Sequence, residues 1–313
     1  MQMKRSGKVK TTRLFGMSLP FYTLRPVLPT LPPELQCKIF EITASFSPKY
    51  ALSLMLVARK VKEWIEPFLY HSIVFSRSFE NYPPIYKGRD QWKATRAPLF
   101  DKATPHARHV LIESSRLDKS AEILQHAPNV ESLALWSLPL IIESQRPLLP
   151  IIQSLTKLTR ISASPYQLMK TKGVSFVFDH AAFVNLTHVG ILCMEEDICE
   201  WAAWAELALL PKLTHLSVDY SNPNFVEDVL SGCTGLKLFV VFYEDRQEVL
   251  DRAAEREEEG VRHPRHPDVG VMLDKRVVQI PEIHDHWVEE WERNVRGQES
   301  FWKRAERIQR MRV

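Results

Sequence analysis

One phrase constrains the fold of this chain more than any other feature: three apolar residues separated by two positions and then by one. It occurs as Ala107-Val110-Ile112, Val130-Leu133-Leu135 and Leu158-Ile161-Ala163, and again as Leu186-Val189-Ile191, Leu213-Leu216-Val218 and Leu236-Phe239-Val241. The central residues stand at 110, 133, 161, 189, 216 and 239, so the steps are 23, 28, 28, 27 and 23 residues. The last two apolar positions are two apart, the spacing that puts side chains on one face of a strand. Between copies lie segments suited to helix: SAEILQHAPN, LPIIQSLTK, FDHAAFVN, WAELALLPK and VEDVLSGCT. One strand and one helix cannot bury their apolar faces alone, so neighbouring units must stack. The expected fold class is α/β, with a solenoid of six uneven units over residues 104–243 and an insertion at 164–180. An ordinary α/β domain whose parallel strands echo one another is the alternative.

Steps of this size fall within or near the window of about 20–29 residues that marks leucine-rich repeats, and the array resembles an irregular one. The asparagine or cysteine that closes such a repeat's loop is not consistently present.

Ahead of the array, residues 31–75 read as short amphipathic helices. In LPPELQCKIFEI, Pro32 and Pro33 suit a first helical turn and Glu34 suits its positive end. Leu35, Ile39 and Ile42 then fall on one face, with Phe40 adjacent. Pro48 marks a turn, a second helix opens around Leu52 and Leu56, and Val57, Val61, Trp64 and Ile65 carry its apolar face to Pro67, which interrupts it. Helices this short bury too little alone and must pack on the chain, on a partner, or on both.

This segment resembles the F-box, the helical module of substrate receptors in Skp–cullin–F-box ubiquitin ligases. Leu31, Pro32, Glu34, Leu35, Ile39 and Phe40 match its opening, Leu56 and Val57 its L-V element, Arg59 its basic position, and Pro67 with Tyr70 its closing turn. The family's usual Cys and Trp after L-V fall here at Ala58 and Val61, with Trp64 three residues later. The wording is similar to the degenerate F-box of a large fungal group. The C-terminal Trp291-Glu292, Val295-Arg296-Gly297 and Phe301-Trp302-Lys303-Arg304-Ala305-Glu306 resemble the closing stretch of the same group. The resemblance implies a short N-terminal helical F-box-like module, an irregular leucine-rich-repeat-like solenoid and a C-terminal helical cap. It implies docking of a Skp-type adaptor, and hence a cullin scaffold, through Leu31, Pro32, Leu35, Ile39, Phe40 and Val57, with an unidentified target protein held by the repeats. The alternative is a leucine-rich interaction protein outside ubiquitin transfer, its helical segment serving as an N-terminal cap.

The flanks read differently. Residues 1–30 carry Lys4, Arg5, Lys8, Lys10 and Arg13 and fit either a disordered, solvated tail or a nuclear address. Residues 76–103 read as an irregular linker with Pro83-Pro84. In 244–313, the charged run 244–262 reads as a solvated helix or insertion, and VGVMLDKRVVQI as a capping strand. Trp287, Trp291, Phe301 and Trp302 read as anchors docking a helix on the last repeats.

With 41 Lys and Arg against 38 Asp and Glu, the net charge of +3 argues against a dedicated nucleic-acid binder. No stretch has the length and apolarity of a membrane span, and no signal-peptide pattern opens the chain. Four scattered cysteines make neither a disulfide framework nor a zinc pattern, so an intracellular location, cytoplasm or nucleus, is expected. No catalytic motif stands out among 10 glycines and 21 prolines; no enzyme activity and no cofactor are expected. Cys193 and Cys199 bracket acidic residues, and His284, His286, His263 and His266 are conceivable ligands, but polar loops explain them better. A metal enzyme is the third reading, dependent on His284 and His286 converging with a carboxylate. Cys37 reads as a small buried apolar residue.

Overall fold

Three helices open the described chain: α1 (Pro33–Phe46), α2 (Pro48–Leu54) and α3 (Arg59–Leu69). Strand β1 (Ser72–Phe75) follows, then a small antiparallel ribbon of β2 (Tyr86–Lys87) and β3 (Thr95–Arg96), and helix α4 (Phe100–Ala103). Strands then alternate with helical segments: β4 (His109–Ile112), α5 (Leu117–Gln125), β5 (Ser132–Leu135), α6 (Leu148–Gln153) and β6 (Arg160–Ala163). A 3-10 turn (Ala181–Phe183) precedes β7 (His188–Ile191); α7 (Trp201–Trp204), continued by a 3-10 segment (Ala205–Leu209), precedes β8 (His215–Val218). The chain continues through α8 (Pro223–Gly232), β9 (Leu238–Tyr243) and β10 (Val277–Pro281) to α9 (Trp287–Val295) and α10 (Phe301–Met311). This structure is a computed structural model and describes residues 31–46, 48–76, 83–87, 95–113, 117–136, 148–163, 178, 180–192, 201–219, 223–243, 274–281 and 287–312. The tail at 1–30, residues 164–177 of the expected insertion, the charged run 244–262, Cys193, Cys199, His263, His266, His284 and His286 lie outside them.

The architecture is mixed α/β around an eight-stranded parallel sheet, ordered β1-β4-β5-β6-β7-β8-β9-β10. Apart from the ribbon, the strands therefore lie side by side in chain order. The central residues of all six phrases share one row: Val110, Leu133, Ile161, Val189, Leu216 and Phe239 are successive register partners. All eighteen phrase residues are buried in one core, which also takes in Ile123, Ile152, Phe183, Leu207 and Phe225 from the intervening helical segments. Ile73 extends the row on β1 and Val277 on β10. Tyr70-Ile73-Phe75 is thus a further copy of the phrase, buried like the others.

A threonine ladder ties the units edge to edge. Thr159, Thr187 and Thr214 donate side-chain hydroxyls to the carbonyls of Glu131, Thr159 and Thr187, at 3.0, 3.1 and 3.2 Å. Their backbone N–H groups donate to the same carbonyls. Lys157 and Lys212 add matching bonds to Asn129 and Asn185, both at 2.7 Å.

Alternate strand residues face the opposite side of the sheet. That side is apolar at both ends and polar in the middle. Val74, Leu111 and Ala134 at one end pack with Val288 and Trp291 of α9; Leu238, Val240, Phe242, Val278 and Ile280 at the other pack with Trp302 and Ala305 of α10. The C-terminal aromatic residues therefore do anchor helices, but α9 reaches the first strands as well as the last units. Helix α9 stops in a Schellman turn: Gln298 N–H bonds the Arg293 carbonyl and Gly297 N–H the Asn294 carbonyl, with Gly297 at φ +68°. Buried Glu290 then starts α10, accepting the Phe301 N–H at 3.0 Å and pairing with Arg304 at 3.0 Å and Arg293 at 3.3 Å.

Several local expectations change. Helix α3 runs through Pro67 to Leu69, because a missing N–H is tolerated so near the helix end. The 76–103 stretch is not merely a linker: Ile85 and Phe100 are fully buried, and Phe100 lies edge-on to Tyr86 and His126. Cys37 is only partly buried, and its thiol donates to Glu41 at 3.4 Å.

Candidate docking surface and a cleft under the C-terminal helices

The inner side of the N-terminal helices explains why they fold here. Ala44, Ala51, Val61, Ile65 and Leu69 join the main core, and Phe40 packs against Trp64 with ring centroids 6.3 Å apart. Pro32 places its carbonyl to accept the Leu35 and Gln36 N–H groups, both at 3.0 Å, so the proline pair starts α1 as its fixed φ favours.

The outer side is unexpectedly apolar. Leu31, Leu35, Ile39 and Ile42 are 47–52% exposed, and Leu35, Ile39 and Ile42 share a helical stripe. Leu56 at 87% and Val57 at 64% stand out from the turn between α2 and α3, and Tyr50 and Leu52 are exposed on α2. Isolated exposed apolar side chains are ordinary, but a run along one helix face marks an interaction surface. Of the six residues expected to dock a partner, Leu31, Pro32, Leu35, Ile39 and Val57 are exposed, whereas Phe40 is half-buried toward the core. Ile42 and Leu56 belong to the same exposed set.

The second concavity lies between the polar middle of the sheet and the C-terminal helices. It has a volume of about 500 Å³, part of it open to solvent. Trp136, Trp287, Trp291, Phe301 and Trp302 form its walls, while Arg160, Ser162, His188, Gly190 and Ser217 line the sheet side. Trp136 donates its indole N–H to Ser162 at 3.0 Å. Across the sheet, Ser132, Arg160, His188 and His215 are register neighbours, and the two imidazoles stack with centroids 4.2 Å apart. Burial, helped by His215 and Arg160, pushes the His188 pKa down to about 3. Burial also lowers that of His215, opposed by its 3.3 Å contact with Glu306. The repeat signal leads to this sheet, but the cleft was not legible beforehand, since it depends on which strand residues face away from the core.

Among the described residues, no group of three His, Cys, Asp or Glu side chains is placed to hold a metal ion. No helix among them is long and apolar enough to cross a membrane. No protein-family model matches this chain, and a search of curated proteins finds no match.

Proposed function

We propose that this chain is a substrate-recognition adaptor of a Skp–cullin–F-box ubiquitin ligase. Its N-terminal helices dock a Skp-type adaptor and its strand-and-helix units, read as irregular leucine-rich repeats, hold a target protein. The observation that carries this reading is the apolar outer stripe of Leu31, Leu35, Ile39 and Ile42, with Leu56 and Val57 beside the next helix. Side chains needed only for packing would be turned inward, and Phe40 and Val61 already are. The repeat reading is supported by strands in chain order, a shared register and the threonine ladder; a doubly wound sheet would reverse its order at a switch point. The chain's contribution is proximity: a tether raises the target's effective concentration at the transfer site without making or breaking a bond.

The test is a pull-down of the purified full chain with a purified Skp-type adaptor, beside a Leu35→Asp, Ile39→Asp variant. The parent is expected to bind and the variant to lose binding while staying folded, because both side chains are half exposed. A well-folded parent that fails to bind removes the ubiquitin reading. The second reading, an N-terminal cap on an interaction protein, then takes its place; it is favoured by the burial of Val61, Ile65 and Leu69 in the same core as β1.

A further inference from the structure

We propose that the cleft under the C-terminal helices binds a small monocarboxylate with an apolar or aromatic body, its carboxylate seated on Arg160. This inference does not rest on the ubiquitin reading. A guanidinium carries five N–H donors in a planar fork matched to a carboxylate. Among the described residues, the Arg160 side chain has one acceptor, Asn294 Oδ1 at 3.4 Å, and no carboxylate pairs with it. Its strand neighbours, Ser132 and His188, bring no negative charge. A half-buried cation held without a counter-charge favours an anion supplied from outside.

Charge counting selects the class of anion. His188 is neutral at pH 7, since burial holds its pKa near 3. Arg160 is therefore the cation on the cleft's sheet side, and it balances one negative charge. A carboxylate matches; a phosphate dianion would leave charge unmatched in a partly dry cleft. The remaining walls are aromatic, and a volume of about 500 Å³ lies within the range of small-molecule sites. Gly190 keeps the floor open between two hydroxyls: an added Cβ would sit 3.1 Å from both Ser162 Oγ and Ser217 Oγ.

The experiment is a tryptophan-fluorescence titration and thermal-shift assay of the full chain with benzoate, 4-phenylbutyrate and decanoate. The neutral amide 4-phenylbutyramide is the control. At least one acid should quench saturably and raise the melting temperature, and 4-phenylbutyrate should bind about ten- to hundredfold more tightly than its amide, the span of a lost charge-assisted hydrogen bond. Arg160→Gln should lose binding by a similar factor, and Arg160→Lys should lose less. No saturable binding of any acid to the folded parent overturns the proposal, as does equal binding of acid and amide. The acid–amide comparison needs only the parent, so it decides the matter even if Arg160→Gln does not fold.

Discussion

Glu290 shows how much one side chain carries here. It is 2% exposed, yet it caps α10 at Phe301 and meets Arg293 and Arg304. The positive end of a helix and two guanidinium groups together offset its removal from water. Glu290→Gln keeps the shape but removes the charge, leaving the two arginines and the helix end without their anion. A loss of about 2–4 kcal/mol is expected, in the range for breaking a buried pair. Chemical denaturation of the variant checks it; an unchanged midpoint would show that the arginines find other acceptors. Cys233 lies at the inert extreme: burial pushes its thiol up to about 11, so it packs as an apolar residue.

Among the elements, the strands were the most legible and the connections the least. The apolar phrase located β4 to β9 because each of its residues meets the same core, and the tail of VGVMLDKRVVQI marked β10. The copy at Tyr70-Ile73-Phe75 was overlooked because its neighbours read as the end of the helical module. A closing asparagine was sought in each unit, but threonine does the joining. The Leu-Thr pairs at 158–159, 186–187 and 213–214 were its visible signal. The exposed stripe of α1 was legible as spacing, though spacing alone cannot say which side of a helix faces water; that depends on where Val61 and Ile65 of α3 lie. Thr187 stands mid-ladder, donating to Thr159 O and contacting His188 Nδ1 at 2.8 Å. Thr187→Val should cost about 1–2 kcal/mol, a hydroxyl bond lost and a partner stranded. Urea unfolding measures it, and no change would mean the backbone bonds of the ladder suffice.

Over the whole molecule, several histidines are held neutral by burial. The pKa of His71 is pushed down to about 4, that of His109 to about 4 and that of His188 to about 3, in each case mainly by removal from water. Because these folded values lie below the unfolded value of about 6.5, acid favours the unfolded chain. The stability they contribute is full above about pH 6.5 and is lost as pH falls toward 4 and below. At about 1.4 kcal/mol per pH unit, the well-buried His109 or His188 forfeits roughly 2–3 kcal/mol by pH 4.5. The melting temperature should therefore fall steadily between pH 6.5 and 4.5, above the range where most carboxylates titrate. His188→Gln should flatten the slope, and a level profile in the parent would contradict the neutral assignment.

The reach of α9 back to β1 sets an order of events during synthesis. Val74 is made early, yet it packs with Val288 and Trp291 near the far end of the chain. At about 5–20 residues per second, a ribosome needs roughly 10–40 s to travel between them. Throughout that interval Val74, Leu111 and Ala134 lack their native cover while the units behind them are already able to stack. The nascent chain thus passes through a half-covered sheet whose bare side is the natural foothold for a chaperone.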